Sequence, residues 1–264
     1  SPDDPAAIIF TSGSTGPAKG VWYTHRNFDT QVEEIQKYYD INPGEIDVPG
    51  FALFGLFNSA MGVTSVLPDM DPTRPADVDP PKYIEAIEQW QATQSFASPA
   101  LWNKVSLHCQ QYGIRLDTIR RIVTAGAPVP GYVLDRMRRH IHPEGKLHTP
   151  YGATESLPVA SISADEVLGE TYEKTKHGAG VCVGRHYPTI EWKVIRVTDR
   201  PVPTFGDTDE MPIGEIGELV VTGPQVTQKY VTQVEANETA KITDSRGRVW
   251  HRMGDVGYLD KKGR

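Results

Sequence analysis

The sequence predicts an α/β protein, with an open, mostly parallel sheet and flanking helices followed by a smaller β-rich subdomain of distorted-barrel type. Three observations carry that expectation. Strand-like and helix-like stretches alternate from the first residues to about residue 186. Beyond it helical periodicity stops, and short β-rich runs separated by turn residues take over. Glycine-bearing turns also fall three times just past a predicted strand, at Gly13, Gly126 and Gly152. The expected organisation is a core over 1–186 and a β-rich part over 187–264, and 264 residues suffice for one large or two small domains.

In chain order, the apolar run Ala6-Ala7-Ile8-Ile9-Phe10 reads as a buried strand. A helix beginning near Thr24 follows, with Phe28, Val32, Ile35 and Tyr39 on its inner face, and Pro43-Gly44 ends it. Residues 49–67 are apolar, aromatic and glycine-broken; ordinary core and the lining of an acyl-chain site look alike there. The proline-rich segment 68–75 reads as an ordered loop, and Asp79 as the cap of a helix with Pro80 in its first turn and Ile84 and Ile87 inside. A strand at Gln94–Ala97 leads to a helix from about Pro99 to Tyr112, with Leu101, Val105 and Leu107 expected on its buried side. A strand from Ile119 to Ala125 breaks at Gly126-Ala127-Pro128 before a helix around Val133, Leu134 and Met137, and a short strand near Leu147 ends in Tyr151-Gly152-Ala153-Thr154-Glu155. In the last part, strands are expected at 190–197, 217–222 and 247–251, with a surface excursion over 198–215 and a turn at 258–263.

Composition narrows the class. The net charge of −7 argues against a broad nucleic-acid surface, and no apolar run is long enough to span a bilayer. Cys109 and Cys182 match no metal spacing and suggest no disulfide framework, so a reducing cytoplasm is the expected setting. Ser1 is not an initiator methionine and no targeting segment precedes the first strand, which reads as a piece of a longer protein.

The most informative stretch is Thr11-Ser12-Gly13-Ser14-Thr15-Gly16-Pro17-Ala18-Lys19-Gly20. Its glycines let backbone N–H groups converge, its hydroxyls add donors, and Lys19 adds a cation, which together suit a polyphosphate. The spacing is not that of a Walker loop, because Ala18 and Lys19 stand where Gly-Lys would be required. Gly178, Gly180 and Gly184 do not make a dinucleotide fingerprint either, since their spacing is wrong and no capped helix follows.

The run resembles the phosphate-binding signature of the adenylate-forming enzymes, the superfamily of acyl-CoA synthetases, peptide-synthetase adenylation domains and luciferases. Further segments match in the family's order: Gly126-Ala127-Pro128, Tyr151-Gly152-Ala153-Thr154-Glu155, Gly217–Gly223 with Tyr230, and Gly254-Asp255 with Asp260. The resemblance implies ATP and Mg2+ as cofactors and gives the residues roles. Thr11, Ser12, Gly13, Ser14, Thr15, Gly16 and Lys19 would cradle the polyphosphate, while Gly126, Ala127, Pro128, Tyr151, Gly152 and Ala153 would surround the adenine. Thr154 would reach the α-phosphate, Glu155 would hold magnesium and Asp255 would grip the ribose. Lys19, Thr154 and Glu155 would then carry the catalysis.

Within the superfamily the chain is most similar to the olefin β-lactone synthetases, through segments 68–75, 98–103 and 251–255. That branch implies activation of a long-chain β-hydroxy acid and closure to a β-lactone with release of AMP, and association with other olefin-pathway enzymes. Ala52-Leu53-Phe54-Gly55 lacks the histidine of many acyl-CoA synthetases, Met253 replaces a usual threonine, and Pro17-Ala18-Lys19 replaces a common Pro-Lys. Thioester formation with coenzyme A or a carrier protein remains open, as does a nucleotide-binding module without turnover. The family also implies a mobile C-terminal domain beyond Arg264, so the piece alone is expected to bind nucleotide weakly and turn over poorly.

Overall fold

The structure is a computed structural model that describes residues 1–11, 16–51 and 54–264. The chain forms two compact units: residues 1–35, 151–160 and 185–264 make the first, and residues 36–150 and 161–184 the second. This grouping takes the N-terminal hairpin and the end of the 146–153 strand together with the β-rich C-terminal part, whereas the sequence texture changes near residue 186.

The first unit opens on β1 (Pro5–Phe10), paired antiparallel with β2 (Gly20–Thr24), and α1 (His25–Tyr39) begins directly after β2. This corrects the expectation of a buried strand entering a parallel sheet. Ile8 is 52% exposed and Phe10 58% exposed, because a two-stranded hairpin buries only one side of its strands. Helix α1 does follow the predicted spacing, and Ile35 and Tyr39 are buried.

The second unit holds the parallel sheet. Strands β3 (Ile46–Asp47), β4 (Thr64–Ser65), β5 (Gln94–Ala97), β6 (Arg121–Thr124) and β7 (Lys146–Ala153) pair in the order β4-β3-β5-β6-β7, all parallel. The connecting helices are α2 (Phe54–Ala60), α3 (Pro80–Gln89), α4 (Pro99–Tyr112) and α5 (Gly131–Arg138). Parallel strands need such crossovers, and the helices cover them with a core of Ile84, Ile87, Leu101, Trp102, Val105, Ile122, Leu134 and Met137. Each fully buried Leu or Ile here contributes about 1.5–3 kcal/mol.

Two details of these helices differ from expectation. Asp79 occupies the N-cap position of α3, but its side chain makes no capping hydrogen bond, whereas Ser98 caps α4 by accepting from the Leu101 N–H. Leu107 is 47% exposed. Two residues beyond Val105 it has turned roughly 200° around the helix, while Trp102 and Cys109 complete the buried stripe.

Strand β8 (Ser156–Ser163) is next to β7 in the sheet order, and short helices α6 (Ala164–Glu166) and α7 (Tyr172–Lys176) flank a π-helical turn at Val167–Thr171. None of these was legible in the sequence. Back in the first unit, β9 (Arg185–His186) leads to β10 (Glu191–Ile195), β11 (Gly217–Thr222), α8 (Ala236–Ala240), β12 (Lys241–Thr243) and β13 (Val249–Gly257). Four of these strands form an antiparallel sheet in the order β10-β11-β13-β12 around Ile195, Val202, Val220, Ile242 and Trp250. Its anchor is a buried ion pair: Arg252 donates to Glu218 and to the carbonyls of Thr198, Arg200 and Thr239. Among the described residues no helix is long and apolar enough to cross a membrane.

Candidate nucleotide site

Lys19 sits at the mouth of β2. The two ends of the predicted cradle are tied together, because the Lys19 N–H donates to Thr11 Oγ1 at 3.0 Å and the Thr11 N–H to the Lys19 carbonyl at 3.1 Å. Between them Gly16 has φ +140°, a backbone conformation open to glycine. Ser12, Gly13, Ser14 and Thr15 lie outside the described residues. The cradle therefore joins two strands of an antiparallel hairpin rather than a parallel strand to a helix, and its exit is fixed by neighbours from far along the chain. The Gly20 N–H donates to Thr232 Oγ1 at 2.7 Å, the Val231 N–H to the Gly20 carbonyl, and the Trp22 N–H to the Lys229 carbonyl. This lacing puts Lys19 Nζ 5.5 Å from the centre of the Tyr230 ring.

Tyr230 leads to the predicted metal ligand. Its hydroxyl donates to Glu155 Oε1 at 2.6 Å, and Glu155 is buried at 8% exposure. Among the described residues the other carboxylate oxygen has no hydrogen-bond partner. A buried carboxylate with one oxygen anchored and one spare suits a hard cation such as magnesium. Burial, then the hydrogen bond and charge of Glu155, push the Tyr230 hydroxyl far above its usual titration range, so it stays a donor.

The backbone under this pair is also held. The Tyr23 hydroxyl donates to the Thr154 carbonyl at 2.6 Å, while the N–H and hydroxyl of Thr227 both donate to the Glu155 carbonyl at 2.9 Å. Burial raises the Tyr23 hydroxyl to about 12. These bonds fix the backbone carbonyls of Thr154 and Glu155.

Tyr151, Gly152 and Ala153 are the last residues of β7. A side chain at Gly152 would meet the Ser156 carbonyl at 2.8 Å, which accounts for glycine there. The Tyr151 hydroxyl donates to Asp255 Oδ2, and burial together with that carboxylate pushes the hydroxyl's pKa well up. The first unit thus holds two linked sets of the predicted residues, Lys19 and Glu155 through Tyr230, and Tyr151 with Asp255. In the second unit, Gly126, Ala127 and Pro128 follow the carboxyl end of β6 as an exposed strip, with Gly126 at φ +94° and open space around it. That is where α/β sheets place ligands.

In the acyl-region candidate of the second unit, Ala52 and Leu53 lie outside the described residues. The Phe54 ring stacks on Phe96 at 3.7 Å, and Leu56 is 70% exposed. Two residues that sequence reasoning did not place at the site are Tyr230, read as part of a structural strand pair, and Lys241. Lys241 Nζ lies 5.7 Å from the Tyr230 ring centre and donates to the Thr227 carbonyl at 2.6 Å.

Described residues of the first unit therefore include Lys19 beside Tyr230, a buried Glu155 held by that tyrosine, and Asp255 paired with Tyr151. Residues 1–231 match the AMP-binding enzyme family, and the chain belongs to it. It is 45% identical over 266 residues to an olefin beta-lactone synthetase of Xanthomonas campestris and 44% identical to one of Stenotrophomonas maltophilia. Each alignment takes in 99% of this chain and 47% of the relative, so the chain spans about half the length of these curated relatives. Among solved structures, the o-succinylbenzoate coenzyme A synthetase of Bacillus subtilis, in complex with ATP and magnesium ion, has a TM-score of 0.77 at 23% identity, over 100% of this chain and 49% of that one. An amide bond synthetase of Marinactinospora thermotolerans has a TM-score of 0.75 at 25% identity, over 98% of this chain and 47% of that one. These likenesses support the α/β fold with its mostly parallel central sheet.

Proposed function

We propose that the full-length protein activates a carboxylic acid with ATP, and that the acid is a long-chain β-hydroxy acid closed to a β-lactone. The observation that carries the first part is Glu155, buried, with one oxygen held by Tyr230 and the other free of described partners, in the same unit as Lys19 and Asp255. The second part rests on the 45% identity to an olefin beta-lactone synthetase.

In the first step the acid's carboxylate oxygen attacks the α-phosphorus of ATP, the bond to the bridging oxygen breaks, and pyrophosphate leaves. Lys19 and the cradle's N–H groups hold the departing phosphates, the Thr154 hydroxyl donates to the α-phosphate, and Asp255 fixes the ribose. Magnesium, when bound, neutralises developing phosphate charge as a Lewis acid, and Glu155 is the residue that would hold it. Each donor aimed at charge that develops in the transition state contributes about 3–4 kcal/mol. In the second step the acid's own hydroxyl oxygen attacks the acyl carbon, AMP leaves and one proton is released. Proximity of the two groups contributes up to about 7–11 kcal/mol in well-oriented systems.

The test is mass-spectrometric identification of the product formed by full-length enzyme from ATP and a β-hydroxy fatty acid, with and without coenzyme A. A β-lactone formed without coenzyme A is expected. An acyl-CoA formed only with it would replace the lactone by a thioester, and no pyrophosphate under any condition would leave a binding module.

A further inference from the structure

Lys241 is the first residue of β12, and the sequence gives it no assigned role. Its surroundings point to one. The ammonium donates to the Thr227 carbonyl at 2.6 Å and lies over the Tyr230 ring, and among the described residues it has no other acceptor. Lys19 is over the same ring, and among the described residues its ammonium has no hydrogen-bond acceptor. Glu155, which Tyr230 holds through its hydroxyl, is the carboxylate whose charge reaches Lys241. Two ammonium groups thus share one phenol ring, with unused N–H donors on both among the described residues. His251 adds no charge: burial first, then the nearby positive charges of Lys241 and Lys19, hold its imidazole neutral, with Nδ1 against the Ala240 carbonyl.

We propose that Lys241 is a second phosphate ligand, which binds the pyrophosphate portion of the nucleotide together with Lys19. This rests on the nucleotide reading of the site and deepens it. An ammonium with one of three donors used is poorly compensated unless an anion arrives, and burial has already pushed the Lys241 ammonium down to about 7. A polyphosphate supplies the missing acceptors and restores the charged form. The same contact does nothing for AMP, which lacks the β- and γ-phosphates. Lys241 therefore discriminates the substrate ATP from the product AMP, a role distinct from that of Asp255.

The experiment is calorimetric titration of full-length protein with ATP, inorganic pyrophosphate and AMP in the presence of magnesium, for the wild type, Lys241→Met and Lys241→Arg. Lys241→Met is expected to weaken ATP and pyrophosphate binding by about tenfold or more, to leave AMP within about twofold, and Lys241→Arg to recover part of the loss. Wild-type protein that binds neither ATP nor AMP overturns the nucleotide reading and this one with it. Wild type that binds ATP, with Lys241→Met binding ATP and pyrophosphate equally well, overturns only the role of Lys241. A second measurement needs no variant. Acylation of lysines in the wild type with labelled acetic anhydride, read by mass spectrometry, should show Lys241 protected by pyrophosphate and unprotected by AMP. Equal labelling with and without pyrophosphate overturns the proposal even if Lys241→Met does not fold.

Discussion

Tyr151 and Asp255 stand 104 residues apart in sequence, yet the phenol hydroxyl of one donates to the carboxylate of the other. The bond holds an exposed carboxylate of β13 against the end of β7 instead of leaving it to sweep through solvent. Asp255→Asn keeps an acceptor for Tyr151 and removes the charge. It is expected to weaken AMP and ATP binding alike, by about tenfold or more, and to leave pyrophosphate binding unchanged. Calorimetry with the three ligands checks it, and a selective loss for ATP would contradict the ribose role.

Glu155→Gln leaves an amide oxygen for Tyr230 but no anionic oxygen for a metal. The magnesium concentration for half-maximal adenylation by full-length enzyme should rise at least about tenfold, while the unfolding temperature moves little. Tyr230→Phe removes only the hydroxyl that orients the carboxylate, and a loss of about 10–100-fold in magnesium affinity is expected. An unchanged magnesium dependence in both variants would remove Glu155 from the metal site.

Arg252 and Glu218 form the buried ion pair of the antiparallel sheet, with side chains 7% and 9% exposed. Removing one partner strands the other charge in the interior. Glu218→Gln or Arg252→Met should each cost about 3–5 kcal/mol of stability, whereas the double replacement should recover a large part of it. Denaturant unfolding of the two single variants and the double variant measures this directly.

His148 gives a pH dependence with a definite sign. Burial, then the positive charges of Arg121 and Lys146, lower its pKa to about 4, and its Nδ1 has no partner among the described residues. The unfolded chain takes up a proton near pH 6.5 and the folded chain only near pH 4, so the unfolded state binds more protons between them. The stabilising contribution is complete above about pH 6.5 and is lost as pH falls towards 4, with a slope approaching about 1.4 kcal/mol per pH unit. His148→Phe should flatten stability over that window. A variant that loses stability as steeply as the wild type would refute the assignment.

Much of the architecture was readable because its signals are local. Helix α1 announces itself through Phe28, Val32, Ile35 and Tyr39, since a helix lying on a core must repeat its apolar residues at that spacing. The cradle and the 151–155 motif stood out as candidates because their glycines and hydroxyls have few other uses together. What sequence could not supply was the partner of each strand. The run from Ala6 to Phe10 looks the same whether it enters a parallel sheet or an exposed hairpin, and only the pairing of Phe10 with Gly20 decides. Lys241 was invisible for a similar reason. A lysine beside Thr239 and Ala240 looks solvated until the chain brings Tyr230 and Thr227 beneath it.

The carbonyls of Thr154 and Glu155 are held by Tyr23 and by Thr227, which belong to opposite ends of the chain. A motif clamped from both sides before any ligand arrives has little conformational entropy left to lose. On the proposed nucleotide reading, ordering this motif adds little to the cost of binding.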